Sequence, residues 1–218
     1  MSQLRLLTRR YPKVGPLLWI LGLLQYFSVQ YIVALAWPRP FNLRLNTISD
    51  LGNTMCGQQN RLFVCSPLHS LMNISLVIVG LSMCLGVILV LLALQASRLA
   101  KVTLVLLGLT GVGTSLIGFF PENIAPLIHY LIAAPSLIIF NSAVFTAYWV
   151  PELPYSWRSY SLTLGCLGLL ALLMIGIHYP TPLGPGGMER VADYTPDLWV
   201  FTLSIYLLIQ HKKAFPSP

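Results

Sequence analysis

Charge is what this sequence has least of. Only 9% of its 218 residues are Asp, Glu, Lys or Arg, against 56% hydrophobic. A soluble globular domain carries roughly 25% charged residues. In water, a chain of this length could not bury so much apolar surface while covering itself with so few charges. Lipid removes the difficulty, because apolar side chains then face outward. Other absences narrow the function. No Lys/Arg run exceeds the pairs Arg9-Arg10 and Lys212-Lys213. The net charge of +7 therefore does not describe a nucleic-acid surface, and no nucleic acid is expected as a partner. There is no CxxC pair for a thiolate zinc site and no HExxH or HxxxH spacing for a metallohydrolase. Gly-rich phosphate loops, nucleophile elbows and cofactor fingerprints are missing too. The stretch Pro180–Gly187 is rich in Gly and Pro but lacks the Lys-Ser/Thr end of a P-loop, so it reads as a breaker-rich loop. Low-complexity segments and internal repeats are absent.

What is present is a series of apolar runs without charge. The run from Lys13 to Arg39 encloses about 25 uncharged residues, enough to cross a bilayer at about 1.5 Å per residue. Helices are expected over Val14–Trp37, Leu68–Leu94, Val102–Phe120, Pro126–Val150 and Ser159–His178. A sixth, around 190–210, has two readings. It is either a short Pro196–Gln210 with proline in the first turn, or a longer helix from about Gly187 with Pro196 inside. The expected fold is all-α: one polytopic bundle of six transmembrane helices over residues 1–218. The first run also carries features of a cleavable signal, with a basic start, Thr8-Arg9-Arg10 and Ala34-Leu35-Ala36. Its apolar stretch of about 20 residues exceeds the roughly 7–15 of a signal core, so it is read as a helix.

Orientation follows from Lys and Arg. With the N-terminus inside, nine of them (Arg5, Arg9, Arg10, Lys13, Arg98, Lys101, Arg158, Lys212, Lys213) fall on the cytoplasmic side. Four (Arg39, Arg44, Arg61, Arg190) fall on the other. This bias places both termini in the cytoplasm. Cys56 and Cys65 share the long first outer loop, where they either pair as a disulfide or remain two free thiols. Cys84 and Cys166 lie mid-helix and read as packing residues.

The remaining ionisable groups cluster. Five of the six acids (Asp50, Glu122, Glu189, Asp193, Asp197) and three of the four histidines (His69, His129, His178) fall at the outer end. The positive-inside rule concerns Lys and Arg and does not account for this. Ionisable groups at membrane depth tend to face the bundle interior and mark functional paths. His69 and Asn73 share a helical face, as do His129 and Ser136. If helix 6 starts early, Glu189, Asp193 and Asp197 form a stripe to which Arg190 could pair. The candidate site is therefore Ser49, Asp50, His69, Asn73, Glu122, His129, His178, Glu189 and Arg190. Each has a plainer reading. A histidine at a helix end is commonly just hydrogen-bonded, Asp50 could cap a turn with Gly52, and Asn73 could be interhelical glue. In helix 3, Gly111-x-x-x-Ser115 and Thr114-x-x-x-Gly118 allow close backbone approach and place that helix mid-bundle. The tryptophans near helix ends (Trp19, Trp37, Trp149, Trp157, Trp199) read as interface anchors.

Several stretches together carry a family resemblance. They are Asn46-Thr47-Ile48-Ser49-Asp50-Leu51-Gly52-Asn53, Cys65-Ser66-Pro67-Leu68-His69-Ser70-Leu71-Met72-Asn73, Gly118-Phe119-Phe120-Pro121-Glu122 with His129, and Gly187-Met188-Glu189-Arg190. In this order the chain resembles the prokaryotic membrane proteins grouped as domain of unknown function 998, over nearly its whole length. The resemblance implies a six-helix membrane bundle in a prokaryotic inner membrane. It supplies no activity and no catalytic residues.

Three functions compete. The first is an uncharacterised bundle with a ligand or ion site at its outer end, acting in binding or transport. The second is a metal-dependent hydrolase acting on a lipid at the outer leaflet, with His69, His129 and His178 as weak metal candidates. The third is a non-catalytic assembly partner. Transport is weakened by the lack of a two-half repeat, which a homo-oligomer would supply. The lipid bilayer is the one partner the composition demands; the small-molecule or lipid ligand and any cofactor stay unnamed.

Overall fold

Six helices make up most of the computed structural model, which describes residues 5–6, 13–59 and 62–214. They are α1 Val14–Leu35, α2 His69–Ala93, α3 Arg98–Phe119, α4 Pro126–Thr146, α5 Tyr155–Gly176 and α6 Gly184–Ala214. Arg9, Arg10 and Arg61, counted in the charge asymmetry, lie outside the described residues, as does the Thr8-Arg9-Arg10 motif. Each helix packs on its neighbours in sequence, α6 returns to α1, and α4 touches α6 across the ring. The chain is a polytopic all-α membrane bundle. Five helices are long and apolar enough to cross a bilayer, yet only 28–44% of their most apolar windows is buried by protein. The rest, including Leu21, Ile74, Leu85, Leu131 and Leu173, is exposed and apolar, a surface that lipid covers at no cost. α6 falls a little short of the same apolar criterion, and it carries the acidic stripe.

The helix starts correct the charge-free reading. α3 begins at Arg98, because the Ser97 hydroxyl accepts a hydrogen bond from the Ala100 N–H at 3.2 Å and caps the first turn. Glu152 in turn accepts hydrogen bonds from the Ser97 backbone and hydroxyl, a favourable place for an anion beside a helix N-terminus. α5 begins at Tyr155, directly after Pro154, and Arg158 in its first turn donates Nε to the Tyr148 carbonyl. Basic residues thus lie inside helices that the uncharged runs had clipped. α6 takes the longer reading, with Pro196 inside. Pro180–Gly187 is accordingly not all loop. Gly184 opens α6 at φ +67°, and a Cβ on Gly186 would stand 2.2 Å from the Asn46 carbonyl oxygen. These glycines let the helix start lie directly on the first connection.

Proline has a cost inside α6, and the fold answers it. Pro196 offers no N–H to the Ala192 carbonyl one turn earlier. Asn141 of α4, fully buried, donates its amide to that carbonyl at 2.8 Å and to the Leu137 carbonyl at 2.9 Å. Gly168 of α5 makes room, since a Cβ there would stand 1.6 Å from Asn141 Oδ1.

Tryptophan use also departs from expectation. Trp19 and Trp199 are core residues at 1% exposure, donating to the Met83 carbonyl and the Ser161 hydroxyl, and Trp37 is buried with them. The ring N–H groups of Trp19 and Trp199 find partners inside, so their burial is tolerated. Trp149 stays exposed. The small residues of α3 do allow close contact: Gly111 and Ser115 meet Gly80 of α2. But α3 sits in the ring between α2 and α4 rather than at its centre, and is no more buried than α2.

One end of the bundle carries the long connection 36–68 and is called the loop end. There α1, α3 and α5 finish and α2, α4 and α6 start. The connection contains a 3-10 turn, Ser49–Gly52, and a hairpin of β2 Cys56–Gln59 with β3 Leu62–Cys65, neither anticipated. Cys56 and Cys65 face each other at the hairpin base and are joined as a disulfide. A two-residue β1, Arg5–Leu6, pairs with β4, Leu94–Gln95, after α2.

Candidate functional site

The loop end folds inward because its sequence supplies a reciprocal turn. Asp50 Oδ2 accepts from the Thr47 N–H at 2.9 Å and from Asn46 Nδ2 at 3.1 Å, while Thr47 Oγ1 accepts from the Asp50 N–H at 3.1 Å. This Thr-x-x-Asp box winds the chain into the 3-10 turn. Burial pushes the Asp50 carboxyl above its usual range; the bonds from Asn46 and Thr47 pull it back, and the charge of Glu122 adds to the rise. From below, Ser66 Oγ donates to the Leu51 carbonyl at 2.6 Å and Asn73 Nδ2 to the Gly52 carbonyl at 3.0 Å. A Cβ on Gly52 would lie 2.3 Å from Asn73 Oδ1, so a larger residue there would push the Asn73 amide aside.

Arg190 pins the same segment from α6. Its Nη1 donates to the carbonyls of Leu43 (3.1 Å), Asn46 (2.7 Å) and Gly186 (2.8 Å), and its guanidinium lies over the Phe41 ring. The expected pairing with an acid of its own helix gives way to carbonyl capture. A planar guanidinium can gather several carbonyls at once, which an ammonium does less well.

The turn, so held, aims Ser49 between two helices. Its Oγ lies 3.1 Å from His129 Nε2 of α4 and 3.4 Å from Glu189 Oε1 of α6. Glu189 Oε2 accepts from the Ile48 N–H at 2.7 Å. His129 Nδ1 lies 2.8 Å from the Phe120 carbonyl. A carbonyl can only accept, so Nδ1 carries a proton. Two arrangements of one further proton then satisfy all atoms. Either Nε2 is protonated and donates to Ser49, whose hydroxyl donates to ionised Glu189, or Glu189 is protonated and donates to Ser49, whose hydroxyl donates to Nε2. Ser49 thus links an acid and a base on different helices through one hydrogen-bond chain.

These three groups line a cavity of about 60 Å³ with Tyr26, Asn73 and Asp193 among the polar wall residues. At roughly 10–15 Å³ per water, that is room for a few waters or a very small solute. Much of the remaining wall is apolar (Leu76, Ile117, Leu137, Phe140), and among the described residues no Lys or Arg lines it.

The other candidates lie apart. Glu122 accepts a hydrogen bond from the Tyr130 hydroxyl, outside the cavity wall. His69, half-buried, turns Nδ1 to the Ser66 carbonyl of its own turn at 2.9 Å. His178, exposed with φ 53° just past α5, lines a separate groove of about 500 Å³ with Arg44 and Met188. The three histidines therefore do not form one ligand set, and among the described residues no group of three or more His, Cys, Asp or Glu is placed to hold a metal ion. Histidines at the same depth need not converge: a ring of helices also has an outside, and a helix-end ring can satisfy itself on its own backbone. Asp50 and Arg190 support the wall rather than line it.

Tyr26 and Thr110 line the cavity but carry no signal in the sequence, and Thr114, read there as a packing residue, lines it too. Gln25 and Ser75 exchange hydrogen bonds between α1 and α2. Asn141 was missed although it stands in an apolar run, Ile138-Ile139-Phe140-Asn141, a signal that intramembrane polarity makes readable.

The family model for a protein of unknown function, DUF998, matches residues 20–206. The chain belongs to the DUF998 family. The match runs from α1 to α6 and includes every residue of the cavity wall. No curated protein and no solved structure matches the chain.

Proposed function

We propose that this DUF998 protein binds a small cation-bearing solute in the loop-end cavity, in binding or transport across a prokaryotic inner membrane. The observation that carries this reading is the meeting of His129 and Glu189 on Ser49 in a wall that holds two carboxylates and, among the described residues, neither Lys nor Arg. A wall of that sign favours a positive guest, and its volume favours a small one. The Lys/Arg split supports a cytoplasmic location for both termini, with the cavity on the opposite side. The test is thermal unfolding of the full chain in nanodiscs with methylammonium, ethanolammonium, sodium or potassium, each against acetate and choline controls. Stabilisation by one of these cations, lost in Glu189→Gln, supports the proposal. Equal curves in all salts contradict it.

One observation favours a second reading. Ser49, His129 and the Phe120 carbonyl have the order of nucleophile, base and orienting acceptor. That arrangement would suit acyl transfer from a lipid ester without a metal. Covalent labelling of Ser49 by a fluorophosphonate, abolished in His129→Ala, would replace the first reading with this one.

A further inference from the structure

Below the loop-end cavity, α6 continues its acidic stripe into the bundle. Asp193 and Asp197 are one turn apart and face inward, and Asp197 is 4% exposed. Asp197 lies about 20 Å along the helix from Gly184 at about 1.5 Å per residue. Both line a second, smaller cavity of about 20 Å³ with Tyr26, Thr110 and Thr114. Asp193 Oδ2 accepts from the Tyr26 hydroxyl at 2.9 Å. Asp197 Oδ2 is wholly buried and has no hydrogen-bond partner among the described residues. An unpaired carboxylate oxygen at that depth is among the costliest groups a membrane protein can carry.

Arg190 partly offsets the charge of Asp193, but among the described residues no opposite charge acts on Asp197. α2 contributes Val79, Gly80 and Met83 to this cavity, α3 Thr110, Gly111 and Thr114, and α4 Phe140, none of them ionisable. α1 contributes Tyr26. On α6 itself the nearby ionisable groups are Glu189, Arg190 and Tyr194. Glu189 is another acid, the Tyr194 hydroxyl donates to Gln30, and the Arg190 hydrogen bonds go to the Leu43, Asn46 and Gly186 carbonyls. Two carboxylates one turn apart in a low-dielectric interior do not both ionise; they titrate as a pair.

We propose that Asp193 and Asp197 form an intramembrane proton-binding site, in which the two carboxyls hold one proton between them. Asp193 and Tyr26 line both cavities. Glu189, Asp193 and Asp197 therefore make a ladder of proton acceptors about 12 Å long, eight residues at about 1.5 Å each, leading from Ser49 and His129 at the mouth into the membrane. Transfer along it moves only a proton: the O–H bond at one carboxyl breaks as that at the next forms, directly or through a water in the small cavity. The site does not depend on the nature of the solute bound at the mouth.

The test is infrared spectroscopy of the full chain in nanodiscs at neutral pH. A carboxylic-acid C=O band that shifts in D2O is expected in wild type, is retained in Glu189→Gln and is lost in Asp197→Asn. Absence of the band in wild type overturns the proposal, as does a band lost in Glu189→Gln but kept in Asp197→Asn. If Asp197→Asn does not fold, Asp193→Asn decides. The band should move in that variant because its partner carboxyl has become an amide, and an unmoved band contradicts the shared proton. Because Glu189→Gln removes the proposed solute contact and leaves this pair intact, the two proposals fail separately.

Discussion

Replacing Asn141 by Ala should destabilise the protein by an amount that depends on whether residue 196 is proline. In wild type the Asn141 amide supplies the donor that Pro196 withholds from the Ala192 carbonyl. Truncation leaves that carbonyl buried and unpaired, a loss of about 1–3 kcal/mol, and adds a void beside Gly168. In a Pro196→Ala background the new N–H can close the ordinary helical bond to Ala192, so the same truncation should cost only the void and the Leu137 contact. Thr195 keeps its own acceptor, the Val191 carbonyl at 2.9 Å, in both backgrounds, so it adds no difference. The double-mutant cycle should therefore show a coupling of about 1–2 kcal/mol, well above the few tenths at which independent sites add. Reversible SDS unfolding in bicelles, followed by circular dichroism, measures all four proteins. A coupling below about 0.5 kcal/mol, within the range of independent sites, would refute the argument that Asn141 substitutes for the missing proline donor.

Other outcomes follow from the same contacts. Gly168→Ala should lose about 1–3 kcal/mol, the usual cost of overpacking, because its Cβ falls on Asn141 Oδ1; a neutral effect in the same unfolding assay would show that Asn141 is free to move. Arg190→Lys should loosen the 38–48 segment, since one ammonium cannot replace the three carbonyl contacts; limited proteolysis should cut that segment faster than in wild type, and an unchanged rate speaks against the pinning role. Thiol reagents should label Cys56 and Cys65 only after reduction, and the Cys56→Ser, Cys65→Ser pair should lose roughly 2–3 kcal/mol on the chain-entropy account; labelling of unreduced protein rules out the bond. A reporter fused after Lys213 should be active only in the cytoplasm, and activity on the far side would reverse the proposed orientation.

The helices were legible because lipid makes apolarity nearly sufficient: a charge-free run is a span. Their ends were not, because Arg98, Lys101 and Arg158 belong to helical turns whose starts are set by Ser97 and Pro154. α6 was ambiguous for a physical reason, since Pro196 reads equally as a first-turn proline or an interior one until Asn141 is seen to serve the orphaned carbonyl. At the site, spacing along one helix placed Glu189, Asp193 and Asp197 on a common face. The partners across helices, Tyr26 on α1 and Ser49 in a turn, depend on packing that no spacing encodes. His69 and His178 were grouped with His129 by depth alone, and depth does not fix which way a ring turns.

The account rests on Ser49 joining His129 to Glu189, and histidine 15N NMR of the full chain in nanodiscs tests that junction directly. With the histidines labelled and His129 assigned by substitution, its Nδ1 should appear protonated and hydrogen-bonded, and its Nε2 signal should move in both Ser49→Ala and Glu189→Gln. An Nε2 signal indifferent to both substitutions would contradict the account.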